Sequence, residues 1–223
     1  MGEPVARPDT DSPQKRQQWE KDLDAWASQR ILGLSRQRLA SYHRDSSARM
    51  HDLSQKHAII TELLRPECVE PALASKTKPS VLSDMVALAE RTGLVVYAEE
   101  LLASLEERER LCSTGLPGGL ALLHPRHHDP YTFADSFLAL GRTVHPIHFG
   151  APDGDPSDLF FLVCCQDDRI HLHVLARLCA MCMQTRMIAL LREAPDAPAM
   201  RGVVVKAEEE VTRELSANRG DAP

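Results

Sequence analysis

The chain has 223 residues, 43% hydrophobic and 26% charged, with a formal net charge of -6. That is room for one well-buried domain and an appendage, and no apolar run approaches the roughly 20 residues of a membrane span. The front, residues 1–56, carries 10 Lys and Arg against 8 Asp and Glu, and the remainder 16 against 24, which excludes a polybasic nucleic-acid arm.

The N-terminal "MGEPVARPDTDSPQKRQQ" lacks the apolar core of a secretory leader, which predicts a cytoplasmic protein. The six cysteines, Cys68, Cys112, Cys164, Cys165, Cys179 and Cys182, are then expected as reduced thiols packed like small hydrophobes, not as a disulfide framework. Residues 1–14 hold turn-forming residues without apolar periodicity and read as a disordered tail. Trp19, Leu23, Trp26 and Ile31 recur at helical spacing. Ser35 suits the N-cap of a second helix with Leu39 and Tyr42, and a third short helix holds Met50 and Leu53. Residues 15–56 are therefore expected to be a helical appendage, with self-association through Trp19 and Trp26 or plain packing against the body as its use.

The body begins near His57. Thr77 is expected to cap a helix whose buried face is Val81, Met85, Leu88 and Ala89, with Gly93 just past its end. A helix over 97–110 turns Leu101, Leu102 and Leu105 inward and "EERER" outward. After a loop of Gly115, Gly118 and Gly119 come a short strand at Leu120 to Leu123, a strand near Phe137 to Val144, and a strand over 158–165 buried on both faces. "DDRIHLHVLARLCAMCMQ" predicts a helix with Leu172, Leu175, Cys179 and Cys182 on one stripe. A last helix over 197–213 carries Met200, Val203, Val204, Ala207 and Val211, and residues 214–223 form a tail. Strands interleaved with helices predict an α/β layered domain.

Chemistry concentrates at His124, where a strand ends. The preceding glycines can turn backbone N–H groups toward an anion, and Ser113 and Thr114 add hydroxyl donors, so a phosphate-handling histidine and a plain surface turn are both open. His171 begins the helix after the buried strand, behind Asp167 and Asp168, and with His173 reads either as an orienting imidazole or as a solvated helix start. The histidines at 124, 127, 128, 145, 148, 171 and 173 with Cys179 and Cys182 raise a zinc site. Cys-x-x-Cys is half a zinc signature, however, and packing within a helix explains it without metal. Cys112 is the one loop cysteine suited to a nucleophile, but no base is assigned to it.

Taken in order, "ITELLRPECV", "SVLSDMVALAERTGLV", "LEERERLCSTGLPGGLALLHPR", "IHFGAPDGDPSDLFFLVCC" and "HLHVLARLCAMC" resemble the type 2 enzyme IIA domain of the bacterial phosphotransferase system, in its fructose, mannitol and nitrogen-regulatory branch. The similarity covers about residues 57–213. It implies a mixed β-sheet flanked by helices on both faces. It also implies a phosphoryl-carrier component with a phosphohistidine intermediate, rather than a stand-alone enzyme, and no cofactor. By match to the motif, His124 corresponds to the phosphoryl acceptor, His171 to the second active-site histidine and Arg108 to the signature arginine. Ser113, Thr114, Gly115, Gly118 and Gly119 are expected to line the phosphoryl cradle. The implied partners are a histidine-phosphorylated carrier of the HPr type and an unidentified regulatory target; a degenerate, unphosphorylated interaction module is the alternative. Two residues depart from the family pattern: Leu123 precedes the histidine where proline is usual, and Pro117 replaces a loop glycine. More faintly, "QKRQQWEKDLDAWASQRI" resembles the closing strand and helix of excisionase-like winged-helix modules, which leaves DNA contact by the front segment open.

Overall fold

The computed structural model describes residues 58–126, 132–166 and 168–220, with side chains through Glu214. The chain divides into two units, residues 1–55 and 56–223, and every described residue lies in the second. The expected N-terminal tail and appendage helices, with Trp19 and Trp26, lie outside the described residues, as do Asp167, His127 and His128.

The first unbroken helical pattern behaves as its residues dictate. Thr77 caps α2 (Lys78–Glu90) through a reciprocal box with Ser80, and Pro79 occupies the first turn, where no N–H is missed. Val81, Met85, Leu88 and Ala89 are all buried, and Gly93 takes φ +68 beyond the helix end. Helix α3 (Ala98–Leu111) buries Leu101 and Leu105, with Leu102 partly buried. "EERER" is not uniformly outward, because Arg108 and Glu109 are buried while Glu106 and Arg110 are exposed.

A ten-residue strand, β1 (Leu64–Leu73), follows the five-residue helix α1 (Ile59–Leu63). After α3 come β2 (Gly115–Leu116), β3 (Leu120–Leu123), β4 (Phe137–Ile147) and β5 (Ser157–Cys164). They form one mixed sheet in the order β1-β4-β5-β3-β2; β1/β4 and β3/β5 are parallel, β4/β5 and β2/β3 antiparallel. Side-chain alternation divides the sheet into two apolar faces. Ala121, Leu123, Phe137, Ala139, Phe160, Leu162 and Cys164 join the cluster with α2 and α3. Leu120, Leu122, Leu138, Leu140, Leu159, Phe161 and Val163 are equally buried and point the other way, toward α4 (Asp168–Gln184), α5 (Met187–Glu193) and α6 (Ala197–Gly220). Helices thus cover both faces, which is why β5 reads as an unbroken apolar run. Gly141 in β4 admits close approach, since a Cβ there would collide with Leu73 and Met85.

The α4 stripe differs from the expected one. Val174, Leu175, Leu178 and Met181 are buried along with Arg177, whereas Leu172, Cys179 and Cys182 are only partly so. Arg177 enters the interior because its Nη1 donates to Thr212 Oγ1 of α6 at 2.6 Å. Helix α6 buries Met200, Val204, Ala207 and Val211, leaves Val203 partly exposed, and continues past residue 213 to Gly220. No single helix among the described residues is long and apolar enough to cross a membrane.

Helix α1 is too short to stand alone. Its first turn is held by Glu208 of α6, 1% exposed, whose two carboxylate oxygens accept the Ile60 and Thr61 N–H groups, each at 2.8 Å. These are charge-assisted bonds to a helix N-terminus and replace the missing cap. Glu208→Met is expected to leave two donors unsatisfied and cost about 3 kcal/mol in urea unfolding. Glu208→Gln, which keeps one acceptor oxygen, is expected to cost about half as much.

Candidate functional site

Topology alone brings three elements to His124. Because β3 and β5 are parallel, with Leu123 beside Leu162, both end at the same edge of the sheet. His124 follows β3, and α4 begins just after β5, so its first turn places His171 over the end of β3. Because β2 runs antiparallel to β3, the residues that enter it, Cys112 to Thr114, lie beside the same end. They follow directly on α3, whose last turn carries Arg108.

The geometry at His124 is definite. Arg108 Nε donates to His124 Nε2 at 2.9 Å, so Nε2 presents a lone pair and the ring proton sits on Nδ1, which donates to Leu122 O at 2.9 Å. The His171 ring lies 5.1 Å from that of His124, tilted by 53°. Arg108 is anchored a second time, Nη1 to Cys112 O at 2.9 Å. Burial lowers the guanidinium pKa from its ordinary value, and the neighbouring Cys112 and Glu109 partly offset this. An arginine nonetheless keeps its charge. All three side chains are buried: His124 is 3% exposed, His171 1% and Arg108 6%. This site is therefore closed, not the open strand-end that a shallow glycine cradle predicts, and polar groups close it.

Ser113 and Thr114 lie at this end, but their hydroxyls serve the framework. Ser113 Oγ donates to Phe149 O at 2.9 Å; Thr114 Oγ1 donates to Glu109 Oε2 at 2.6 Å. The glycines correct the expectation further. Gly118 and Gly119, with φ of +86 and +82, form the turn between β2 and β3 at the opposite end of the strand. Five residues of extended chain put that turn on the order of 16 Å from His124. Gly118 N donates to Asp153 Oδ2 and Gly115 N to Ser113 Oγ, each at 3.1 Å. A side chain at Gly119 would strike the Arg192–Asp158 ion pair. Gly118 and Gly119 are thus a hairpin device, Gly115 opens β2 opposite Ala121, and Pro117 removes a donor that does not face His124.

The described members of the zinc set do not assemble, and His127 and His128 lie outside the described residues. Among the described residues, no three His, Cys, Asp or Glu side chains come together to hold a metal. His145 and His148 are exposed at the far end of β4. Burial raises the Cys182 thiol to about 12, the neighbouring Cys179 adding to the effect, which disfavours the thiolate that a metal requires. Sequence reasoning missed Glu109 and Lys78: Lys78 Nζ, from the start of α2, pairs with Glu109 Oε1 at 2.6 Å. The one signal in the sequence was an acid directly after the signature arginine.

The model for the phosphoenolpyruvate-dependent sugar phosphotransferase system, EIIA 2, matches residues 62–205. The chain belongs to this family. A nitrogen regulatory protein of Bradyrhizobium diazoefficiens is 32% identical over 148 residues, covering 65% of this chain and 94% of that protein. The fructose-specific EIIABC component of Bacillus subtilis is 26% identical over 147 residues, but the match spans only 23% of its length. The structure of nitrogen regulatory protein IIA-Ntr from Neisseria meningitidis superposes with a TM-score of 0.59 at 28% identity, covering 66% of this chain and 99% of that one. The IIA mannitol structure from Escherichia coli, 16% identical with a TM-score of 0.55, shares the fold.

In this enzyme IIA domain the helix that supplies His171 also carries His173, whose Nε2 is buried without a partner. Burial, and secondarily the charge of Arg177, lowers the His173 pKa from the ordinary 6.5. The unfolded chain then binds a proton that the folded chain resists, so stability is full above about 6.5 and is lost as pH falls below it. Denaturant unfolding of His173→Leu is expected to show a shallower loss of stability between pH 7 and pH 5 than wild type. An unchanged slope contradicts this.

Proposed function

We propose that the chain is a phosphoryl carrier in which His124 Nε2 accepts a phosphoryl group from a histidine-phosphorylated carrier protein of the HPr type, and that it works in regulation rather than in direct sugar import. The observation that carries this reading is the state of one ring. The Leu122 carbonyl holds the proton on Nδ1, so a neutral Nε2 lone pair faces a guanidinium, with a second imidazole alongside. A neutral imidazole is nucleophilic without a separate base.

In the transfer, the Nε2 lone pair attacks phosphorus while the bond from phosphorus to the donor imidazole breaks, and the donor nitrogen keeps that electron pair. The His124 ring gains positive charge, which the Nδ1–H bond to Leu122 O stabilises. Arg108 leaves Nε2 and turns its donors to the phosphoryl oxygens, pivoting on the Cys112 carbonyl, and His171 donates from the other side. Alignment and charge stabilisation are what phosphoryl transfer chiefly asks of a protein. The regulatory assignment draws support from the nitrogen regulatory relatives, which match along most of their length. A complex of IIA mannitol with phosphorylated IIB mannitol is known for a structural neighbour. A partner that senses the added negative charge is the corresponding expectation for the regulatory target.

The burial of His124, 3% exposed with Arg108 on its nucleophilic atom, favours a second reading, an interaction module that no longer takes phosphate. One experiment separates the two. Labelled phosphoenolpyruvate, the system's first enzyme and the histidine carrier are expected to place acid-labile phosphate on wild type and none on His124→Ala. Arg108→Ala is expected to label on the order of 100-fold more slowly, the usual loss of an anion-stabilising donor. Equal labelling of His124→Ala defeats the acceptor assignment; no label on a folded wild type supports the second reading.

A further inference from the structure

We propose that the buried Glu109 and the partly exposed Lys78 form a positioning pair that sets the tautomer and orientation of His124. This rests on the reading of His124 as acceptor for its consequence in rate, but not for its structural content. Glu109 is 8% exposed and stands next to Arg108 on α3. Its carboxylate accepts the Thr114 N–H at 3.1 and 3.2 Å, the Thr114 hydroxyl at 2.6 Å and the Lys78 ammonium at 2.6 Å. Lys78 is a third exposed and is itself fixed over the Phe149 ring, 4.6 Å from its centroid.

From Thr114 the constraint passes to the acceptor in two hydrogen bonds. Thr114 O receives the Leu122 N–H at 3.1 Å, and the carbonyl of that same Leu122 receives His124 Nδ1–H. The orientation of the Leu122 carbonyl thus depends on where Thr114 lies, and Thr114 is held by Glu109. Arg108, one residue earlier, fixes the other ring nitrogen and the Cys112 carbonyl. One turn of α3 therefore controls both sides of the imidazole. Lys78 has a separate electrostatic part. By neutralising Glu109 it keeps a buried carboxylate from competing for the adjacent guanidinium, so the charge of Arg108 stays directed at Nε2.

The test uses the full chain and two readouts. In imidazole nitrogen spectra, with His124 assigned by its absence from His124→Ala, wild type is expected in the Nδ1–H form. Glu109→Gln and Lys78→Met are expected to populate the Nε2–H form measurably while keeping wild-type circular dichroism. In single-turnover labelling from the phosphorylated carrier, the saturating rate is expected to fall 10- to 100-fold, with the half-saturating donor concentration unchanged within about twofold, because misplacement of a reacting group acts on the transfer step. Lys78→Arg is expected to restore both readouts. Wild-type tautomer and wild-type rate in the folded variants overturn the proposal. If Glu109→Gln does not fold, the same readouts on Lys78→Met decide it. If wild type takes no label, the acceptor reading fails, and the tautomer spectra alone support or overturn the positioning pair.

Discussion

The His124 imidazole is fixed by its own strand on one side and by a helix on the other, and both contacts depend on where β3 ends. The Nδ1–H bond to Leu122 O spans only two residues, a local bond that any histidine after a strand can make. What makes it decisive is that the opposite nitrogen meets Arg108 Nε at the same 2.9 Å. Two bonds on opposed atoms define a single tautomer. The second would not form at a register one residue different, because a one-residue slip of β3 against β5 would send the side chains of Leu122 and Leu123 to the wrong faces and His124 with them. Pairing of β3 with β5, deep in an apolar sheet, thus specifies the chemistry at its edge.

Leu123 shows how core and site share residues. Its side chain is 1% exposed and joins the cluster beneath α2 and α3. It continues β3 to the residue before His124, where a proline would contribute no ladder N–H. The unusual dipeptide thus extends the strand up to the site while leaving the His124 contacts in place. Beyond the far ends of β3 and β5 a different set of contacts does mechanical work. Arg192 bridges Asp158 and the Gly118 carbonyl, and Arg142 donates to the Leu191, Arg192 and Ala194 carbonyls that close α5.

The sequence made legible what local chemistry decides. Thr77, Pro79 and the Val81 to Ala89 stripe announce α2, and four apolar residues before a histidine announce β3. Strand β1 was hidden, since Pro66, Pro71 and two glutamates resemble a loop; it is an edge strand, where prolines are tolerated. In α4 apolar residues stand all around the helix, so periodicity could not choose between the Leu172 and Val174 stripes, and contact with α6 chose. Gly118 and Gly119 misled for a physical reason. A positive φ serves an anion nest and a hairpin turn alike, and only the position of the turn, at the opposite end of β3, separates them. Arg108 and His171 emerged by motif, but their convergence is a property of the sheet order.

The remaining question is why a helix should bury an arginine and a glutamate side by side above an imidazole. Adjacent opposite charges in a low dielectric attract strongly, and left alone they would satisfy one another. Here the carboxylate is drawn to Lys78 and to both donors of Thr114. With Glu109 matched by Lys78, the charge of Arg108 is left over at the ring, a local excess of one positive charge where a phosphoryl group would arrive with nearly two negative ones. The site is thus mildly cationic when empty and close to balanced when loaded, since the His124 ring gains one positive charge as the phosphoryl group brings its negative ones. A buried imbalance of that kind is costly to keep enclosed. It gives the empty site, whose unmatched charge is that of Arg108, a physical reason to favour an arriving anion.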